Sequence, residues 1–322
     1  MTAAVHVLAP CRLHFGMFSF GHADRPEFGG VGAMIEPPNV ELTIAPSHCF
    51  SVHGTHADRV RQFVETVVRN WSLSSRPECQ IDIRSAAGHT GLGVGTQLAL
   101  ATAAGLRRFL KLPELPIESL AANVERGKRS AIGTHGFQRG GLIVDAGKIR
   151  GEQLGKLSRR VELPADWRFV LVRSTEAQGL AGDQEAETFA NLPPVPEAVT
   201  RKLWQITNEQ MLPALEAADF AAFGEAVYQF GRLAGECFAT AQGGPFGSSQ
   251  IERLVMSLRD YGVRGVGQSS WGPTVFAITE NDTAAQRLAS WIQDNAEYGV
   301  SEITIARPNN SGAVIAGYAS TL

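Results

Sequence analysis

The chain has 322 residues, 44% hydrophobic and 19% charged, with 29 Lys and Arg against 32 Asp and Glu for a formal net charge of −3. That composition excludes a disordered chain, which lacks the apolar residues to bury a core, and weighs against a general nucleic-acid binder, which is visibly basic. Glycine is in excess, 34 residues without a collagen-like period, so the surplus belongs in turns and ligand loops.

The opening stretch, MTAAVHVLAP, has no basic signal-like start, and no segment reaches the roughly 18 apolar residues of a membrane span. A cytoplasmic protein with no membrane or nucleic-acid partner is expected. Arg12, His14 and Arg25 come next, among glycines that include Gly16, Gly30 and Gly32. Residues 40–45 alternate as a strand. Val60, Phe63, Val64, Val67 and Val68 make one apolar stripe, which predicts a helix over 58–70. CQIDIR (79–84) alternates as a second strand. A glycine-rich loop over 88–95 then leads into a helix starting near Thr96, with Leu98, Thr102, Leu106, Phe109 and Leu110 on one face and Pro113 as its stop. A short helix is expected near 117–126, a loop from Glu125 to Gly141, and a strand over 140–147.

In the second half, WRFVLVR (167–173) reads as a buried strand and NLPPVP (191–196) as a connector. Helical stripes run through Val199, Leu203 and Ile206, through Phe220, Phe223, Val227 and Phe230, and through Ile251, Leu254, Val255 and Leu258. A last helix falls around Leu288 and Ile292, with strands near 302–306 and 313–318. Hairpins outnumber βαβ units, so the class is α+β. A change of composition near 150–165 divides the chain into 1–160 and 161–322.

Four segments carry candidate chemistry. The first is Gly88-His89-Thr90-Gly91-Leu92-Gly93-Val94-Gly95-Thr96-Gln97, between an expected strand and helix. Its glycines allow close backbone approach, and the helix start adds a positive dipole end, so the segment suits phosphate. It is neither a Walker A loop nor a dinucleotide fingerprint. The second is the polar bend Gln268-Ser269-Ser270-Trp271, followed by Gly-Pro-Thr-Val-Phe. The third, Glu125–Gly141, gathers Arg126, Arg129, Ser130, Thr134 and His135; arginine suits bidentate phosphate or carboxylate binding, and His135 is a candidate acid, base or phosphate donor. The fourth holds Arg12, His14, Arg25 and Gly30. The four cysteines form no CxxC and read as reduced thiols. His53 and His56 lie close together, but no Cys or carboxylate pattern completes a tetrahedral set, so no metal ligands are assigned.

The loop at 88–97 and the bend at 265–277, in that order, resemble the GHMP kinase superfamily. Arg12-Leu13-His14-Phe15-Gly16, Gly91-Leu92-Gly93-x-Gly95-Thr96-Gln97, Arg129–Phe137 and Gly267–Pro273 resemble one branch of it, the β-ribofuranosylaminobenzene 5′-phosphate synthases. Gly179–Phe189, with Gly182, Glu185 and Phe189, also fits that branch. Val94 departs from it, standing where a serine-like residue is expected. The resemblance implies a GHMP kinase-like two-domain fold, with an N-terminal domain like the second domain of ribosomal protein S-five and a ferredoxin-like C-terminal domain. It implies transfer of ribose phosphate from phosphoribosyl pyrophosphate to 4-aminobenzoate or 4-hydroxybenzoate, with loss of carbon dioxide and pyrophosphate, toward tetrahydromethanopterin. A Mg²⁺ ion riding on the pyrophosphate, no redox cofactor and a homodimer go with that reading.

On this reading Arg12, His14, Arg129 and His135 are the candidate catalytic residues. Gly88, Thr90, Gly91, Leu92, Gly93, Gly95, Thr96 and Gln97 cradle the pyrophosphate; Arg126 and Arg129 bind either the 5′-phosphate or the pyrophosphate, and Ser130 and Thr134 are further substrate-binding candidates. Arg12, His14 or Arg25 pairs with the benzoate carboxylate, and Trp271 flanks the ring next to Gln268, Ser269 and Ser270. Two other readings stay open: an ATP-dependent small-molecule kinase and a non-catalytic ligand sensor. Kinases of the superfamily usually carry an aspartate ahead of a Gly-Gly pair in the third motif, whereas GTHGFQR before Gly140-Gly141 has no acid.

Overall fold

A computed structural model describes residues 4–86, 88, 90–174, 182–295 and 299–318. The strands are β1 (Ala4–Met17), β2 (Gly30–Pro46), β3 (Ser51–Gly54), β4 (Cys79–Ser85), β5 (Leu142–Asp145), β6 (Leu157–Val161), β7 (Arg168–Ser174), β8 (Val266–Gln268), β9 (Thr274–Thr279), β10 (Val300–Pro308) and β11 (Val314–Tyr318). The helices are α1 (Ala57–Asn70), α2 (Val94–Phe109), α3 (Ile117–Asn123), α4 (Ile132–Arg139), α5 (Gly182–Asn191), α6 (Glu197–Gln205), α7 (Leu212–Glu216), α8 (Phe220–Glu236), α9 (Ala239–Gln242), α10 (Ser249–Asp260) and α11 (Asp282–Asp294), with a π-helical turn, Ile206–Met211, between α6 and α7. The architecture is α+β.

The strands join into one sheet whose main path is β11-β1-β2-β10-β7-β9-β8. β1 pairs antiparallel with β2 on one side and with β11 on the other. β2 also takes β4 and β5 as neighbours, and its residues Ile35 and Glu36 pair with Pro308 and Arg307 of β10. Among the described strands only β3 and β4 run parallel. β7, β8, β9 and β10 form the antiparallel C-terminal part, and the last strand, β11, returns to β1.

The helices follow their apolar spacing. α1 buries Val60, Phe63, Val64 and Val67, the stripe seen in the sequence. α2 is buried on most of its surface, and Gly105 lets it approach Val7 and Ile44 of the sheet. Each fully buried Leu, Val or Phe is worth about 1.5–3 kcal/mol of transfer free energy. A second apolar cluster joins Val170 and Val172 of β7 to Ile251, Leu254 and Leu258 of α10 and Leu288 of α11.

Two local expectations change, and one strand had no local signal. The segment from Glu125 to Gly141 is not loop throughout, because residues 132–139 form α4, buried over Ile132–Phe137. Gly133 and Gly136 disfavour a helix locally, but α4 packs too closely for side chains there: a Cβ on Gly136 would overlap Met34 Sδ of β2. α2 begins at Val94, ahead of Thr96. β1 is a central strand that local pattern hides. Pro10 argues against a central strand, and the structure accommodates it at a register shift between Pro10 and Cys11.

Candidate functional site: an anion loop fused to an aromatic pocket

The loop before α2 is held from two directions. Arg12 N donates to Leu92 O (2.9 Å) and Arg12 Nη1 to Gly91 O (2.8 Å). Ser269 Oγ donates to the same Gly91 carbonyl (2.8 Å). Gly91 and Gly93 sit at φ +81° and +71°, a region that favours glycine. A Cβ on Gly91 would overlap Ser269 O, and one on Gly93 would lie 2.6 Å from Arg12 Cγ. The loop therefore has its shape because β1 and the bend 268–272 clamp it.

α2 starts bare. Gly93 provides no side-chain cap, and the first turn has no acid. The amides of Thr96 and Gln97 reach Gly93 O, whereas those of Val94 and Gly95 have no acceptor among the described residues. Free N–H groups at a helix start form a natural anion site. Gln97 is buried and donates to Gly133 O (2.8 Å), tying α2 to the start of α4. Thr96 also faces Gly133. Val94 is buried, so the expected serine hydroxyl would be out of solvent there.

The bend continues into a pocket. Ser270 N donates to His14 O (3.1 Å), and His14 N donates to Ser269 Oγ (3.0 Å). His14, Gly231, Phe238, Phe246, Ser270 and Trp271 line a recess open to solvent. Trp271 meets Phe238 edge-on at 4.8 Å between ring centroids and Phe189 at 5.7 Å, and the Arg129 guanidinium lies 4.9 Å over the Phe189 ring. His14 is only 3% exposed, and its Nε2 has no hydrogen-bond partner. Burial, and secondarily the Arg12 charge, hold its pKa well below the usual 6.5, so the imidazole is neutral. A neutral ring does not form an ion pair with a carboxylate; it exchanges hydrogen bonds.

The other candidate residues fall elsewhere. His135 is buried with Nε2 2.8 Å from Gly155 O, and burial lowers its pKa. Thr134 is buried beside it, and Ser130 Oγ accepts from Ile132 N (3.3 Å) at the start of α4. Arg25 pairs with Asp24 and with Glu197 of α6, not with Arg12 or His14. Gly30 lets β2 approach Gly16 of β1. Gln268 uses its amide to shape the bend, accepting from Gly247 N (2.6 Å) and donating to Ser270 O and Gly272 O. Thr90 is buried next to the loop. His89 and residues 179–181 of the Gly179–Phe189 stretch lie outside the described residues. Sequence reading missed Arg59 of α1: a Cβ on Gly95 would lie 2.5 Å from its Nη2. Only the tertiary approach of α1 to α2 reveals it, since nothing in its local pattern differs from a solvated helix face. Phe238 was likewise unremarkable as an isolated aromatic.

This sheet, its bare helix start and its clamped glycine loop define a protein of the GHMP kinase fold. Residues 211–296 match the family model described as GHMP kinases C terminal. The structure is similar to homoserine kinase from Cytophaga hutchinsonii, with a TM-score of 0.70 at 15% identity and 98% of each chain covered. Over most of its length the chain is more specifically a homologue of beta-ribofuranosylphenol 5′-phosphate synthases. It is 29% identical to the one from Archaeoglobus fulgidus, covering 85% of this chain and 87% of that one. It is 28% identical to the one from Methanothermobacter thermautotrophicus, covering 87% and 90%. It is thus an enzyme of pentosyltransferase type on a kinase-like frame. Among the described residues no helix is long and apolar enough to cross a membrane.

Proposed function

We propose that this enzyme joins phosphoribosyl pyrophosphate to 4-hydroxybenzoate or 4-aminobenzoate, releasing carbon dioxide and pyrophosphate, on the route to tetrahydromethanopterin. The observation that carries this reading is the bend 268–272, which is at once the clamp of the anion loop and a wall of the aromatic pocket. One site therefore offers a place for a multiply charged phosphate and, next to it, a place for a planar ring. The relatives are synthases of a ribofuranosylphenol 5′-phosphate, a product that fits a ribose phosphate donor and the hydroxy acid.

The chain's own groups supply the chemistry by position and charge. Bare amides at the start of α2 stabilise negative charge as pyrophosphate departs, an effect typically worth about 3–4 kcal/mol per donor in comparable sites. Trp271 and Phe238 hold the ring against the anomeric carbon, so the reacting atoms meet in a fixed geometry. His14, neutral and otherwise unpaired at Nε2, takes a hydrogen bond from the substrate or gives one. Mg²⁺ would reach the site on the pyrophosphate, where it shields phosphate charge. No His, Cys, Asp or Glu cluster among the described residues provides it with a ready-made protein site.

The test is release of labelled carbon dioxide from carboxyl-labelled 4-hydroxybenzoate or 4-aminobenzoate. Release that requires both the acid and phosphoribosyl pyrophosphate is the expected result. No release, with ATP consumed in the presence of a small alcohol, would replace this reading by a kinase. Binding without turnover of either kind would make the protein a sensor.

A further inference from the structure

We infer that Arg59 and Arg126 form the clamp for the departing diphosphate, on the flank of the loop away from the aromatic pocket. The inference rests on the phosphoribosyl-transfer reading above and deepens it. Arg59 stands in the first turn of α1, its guanidinium lying against the first turn of α2. Nη2 would be 2.5 Å from a Cβ on Gly95, and Nη1 3.8 Å from one on Gly88. Glycine at 95 is what leaves room for the cation against the first turn of α2.

Arg126 lies beside it. Its guanidinium packs 4.9 Å over the Phe63 ring of α1, and its Nε is buried without a hydrogen-bond partner. Burial first, and then the Arg59 charge, make its protonated form costlier; burial alone does the same to Arg59. The carboxylates next in sequence are committed elsewhere. Asp58 binds Arg61 at 2.5 Å, and Glu125 binds Lys128 at 2.7 Å. Among the described residues neither guanidinium is paired with an acid. Two adjacent cations with no paired acid, one of them lying against the helix start where two amides lack acceptors, match a compact polyanion.

Direction selects which phosphate. The pocket wall abuts the loop at Gly91, through Ser269, whereas Arg59 abuts it at Gly88 and Gly95. In a displacement at the anomeric carbon the entering and leaving groups stand on opposite sides. The bond from that carbon to oxygen breaks, and its electron pair leaves on the diphosphate. The ring carbon bearing the carboxylate supplies the pair for the new carbon–carbon bond. Carbon dioxide then departs, returning its bonding pair to the ring. With the ring at the Trp271 side, the diphosphate falls to the Arg59 side, and the 5′-phosphate lies elsewhere.

Calorimetric titration of the whole protein with inorganic pyrophosphate and, separately, with ribose 5-phosphate tests this without relying on turnover. Arg59→Ala is expected to weaken pyrophosphate at least about tenfold and ribose 5-phosphate less than about twofold. Gly95→Ala, which displaces the guanidinium while keeping its charge, should weaken pyrophosphate as well. Arg59→Lys, with charge but no fork, should fall between wild type and Arg59→Ala. If Arg59→Ala does not fold by circular dichroism, Gly95→Ala and Arg59→Lys decide. Unchanged pyrophosphate affinity in the variants, no pyrophosphate binding by wild type, or an equal loss for ribose 5-phosphate overturns the clamp. Arg59-dependent pyrophosphate binding in a protein that releases no carbon dioxide would keep the clamp and remove the synthase reading. Carbon dioxide release with Arg59-independent pyrophosphate binding would do the reverse.

Discussion

Three helices of the C-terminal half and the helix at the anion loop begin in opposite ways. α8, α10 and α11 start at Asp219, Ser248 and Asn281, whose side chains accept from the amides of Ala222, Ile251 and Ala284. Such a cap is worth about 1 kcal/mol. α2 starts at a glycine in the left-handed region, with no cap and no acid in its first turn. At these three starts a side chain satisfies one of the amide donors. At α2 none does, and the loop before it is held by neighbours instead: Arg12 and Ser269 on the Gly91 carbonyl, and Gln97 on Gly133.

Breaking the loop should have the largest effect. Gly93→Val adds a branched side chain at positive φ and drives its Cβ into Arg12 Cγ. We expect kcat/KM for carbon dioxide release to fall more than about 100-fold, as for a lost oxyanion donor, with the circular dichroism spectrum retained. Arg129→Ala, beside Phe189 at the pocket, should lower it by about 10-fold or more, as a lost charge-assisted contact does. A loss below about twofold in Gly93→Val would refute the loop assignment, and one below about twofold in Arg129→Ala would remove Arg129 from the site.

The pocket can be closed without touching the loop. Gly231 of α8 lines it, and a Cβ there meets only Phe15 O, at 3.4 Å. Gly231→Leu should therefore fold, project into the recess and raise the KM for the aromatic acid about tenfold, the value of one lost apolar contact set. Pyrophosphate titration should be unchanged. Equal loss of both ligands would show that pocket and loop do not act as separate subsites.

His14 ties the pocket to pH. An unfolded histidine titrates near about 6.5, and the buried one stays neutral well below that. Below about pH 6.5 the unfolded chain thus binds a proton that folded His14 refuses. The stability contributed by the neutral ring is present above that pH and is lost as pH falls toward the depressed folded pKa. Urea unfolding should show His14→Gln flattening this fall by up to about 1.4 kcal/mol per pH unit. An identical slope in wild type and variant would contradict the neutral, buried ring.

The smallest effect is expected at a helix start that serves no ligand. Asn281→Ala removes the cap of α11, far along the chain from the loop, and should cost about 1 kcal/mol in urea unfolding with kcat unchanged. A comparable loss of activity would erase the contrast between the two kinds of helix start.

Much of this was legible in one dimension. The stripe Val60, Phe63, Val64, Val67 forms α1, and the alternation of CQIDIR forms β4, because apolar period follows which face meets the core. The loop at 88–95 was visible because close backbone approach and positive φ leave only glycine. α4 was not visible, because its glycines serve contacts with Met34 and Thr96 that lie far away in sequence.

The sequence by itself determined where the chain bends and which segments carry glycine-rich backbone open to close approach, since propensity, periodicity and glycine are local properties. Only the tertiary structure decided that Ser269 grips the Gly91 carbonyl, that His14 is buried and neutral, and that Arg59 lies against Gly95. Each of these depends on groups brought together across the sheet, where burial and distance, rather than spacing along the chain, set the strength of an interaction.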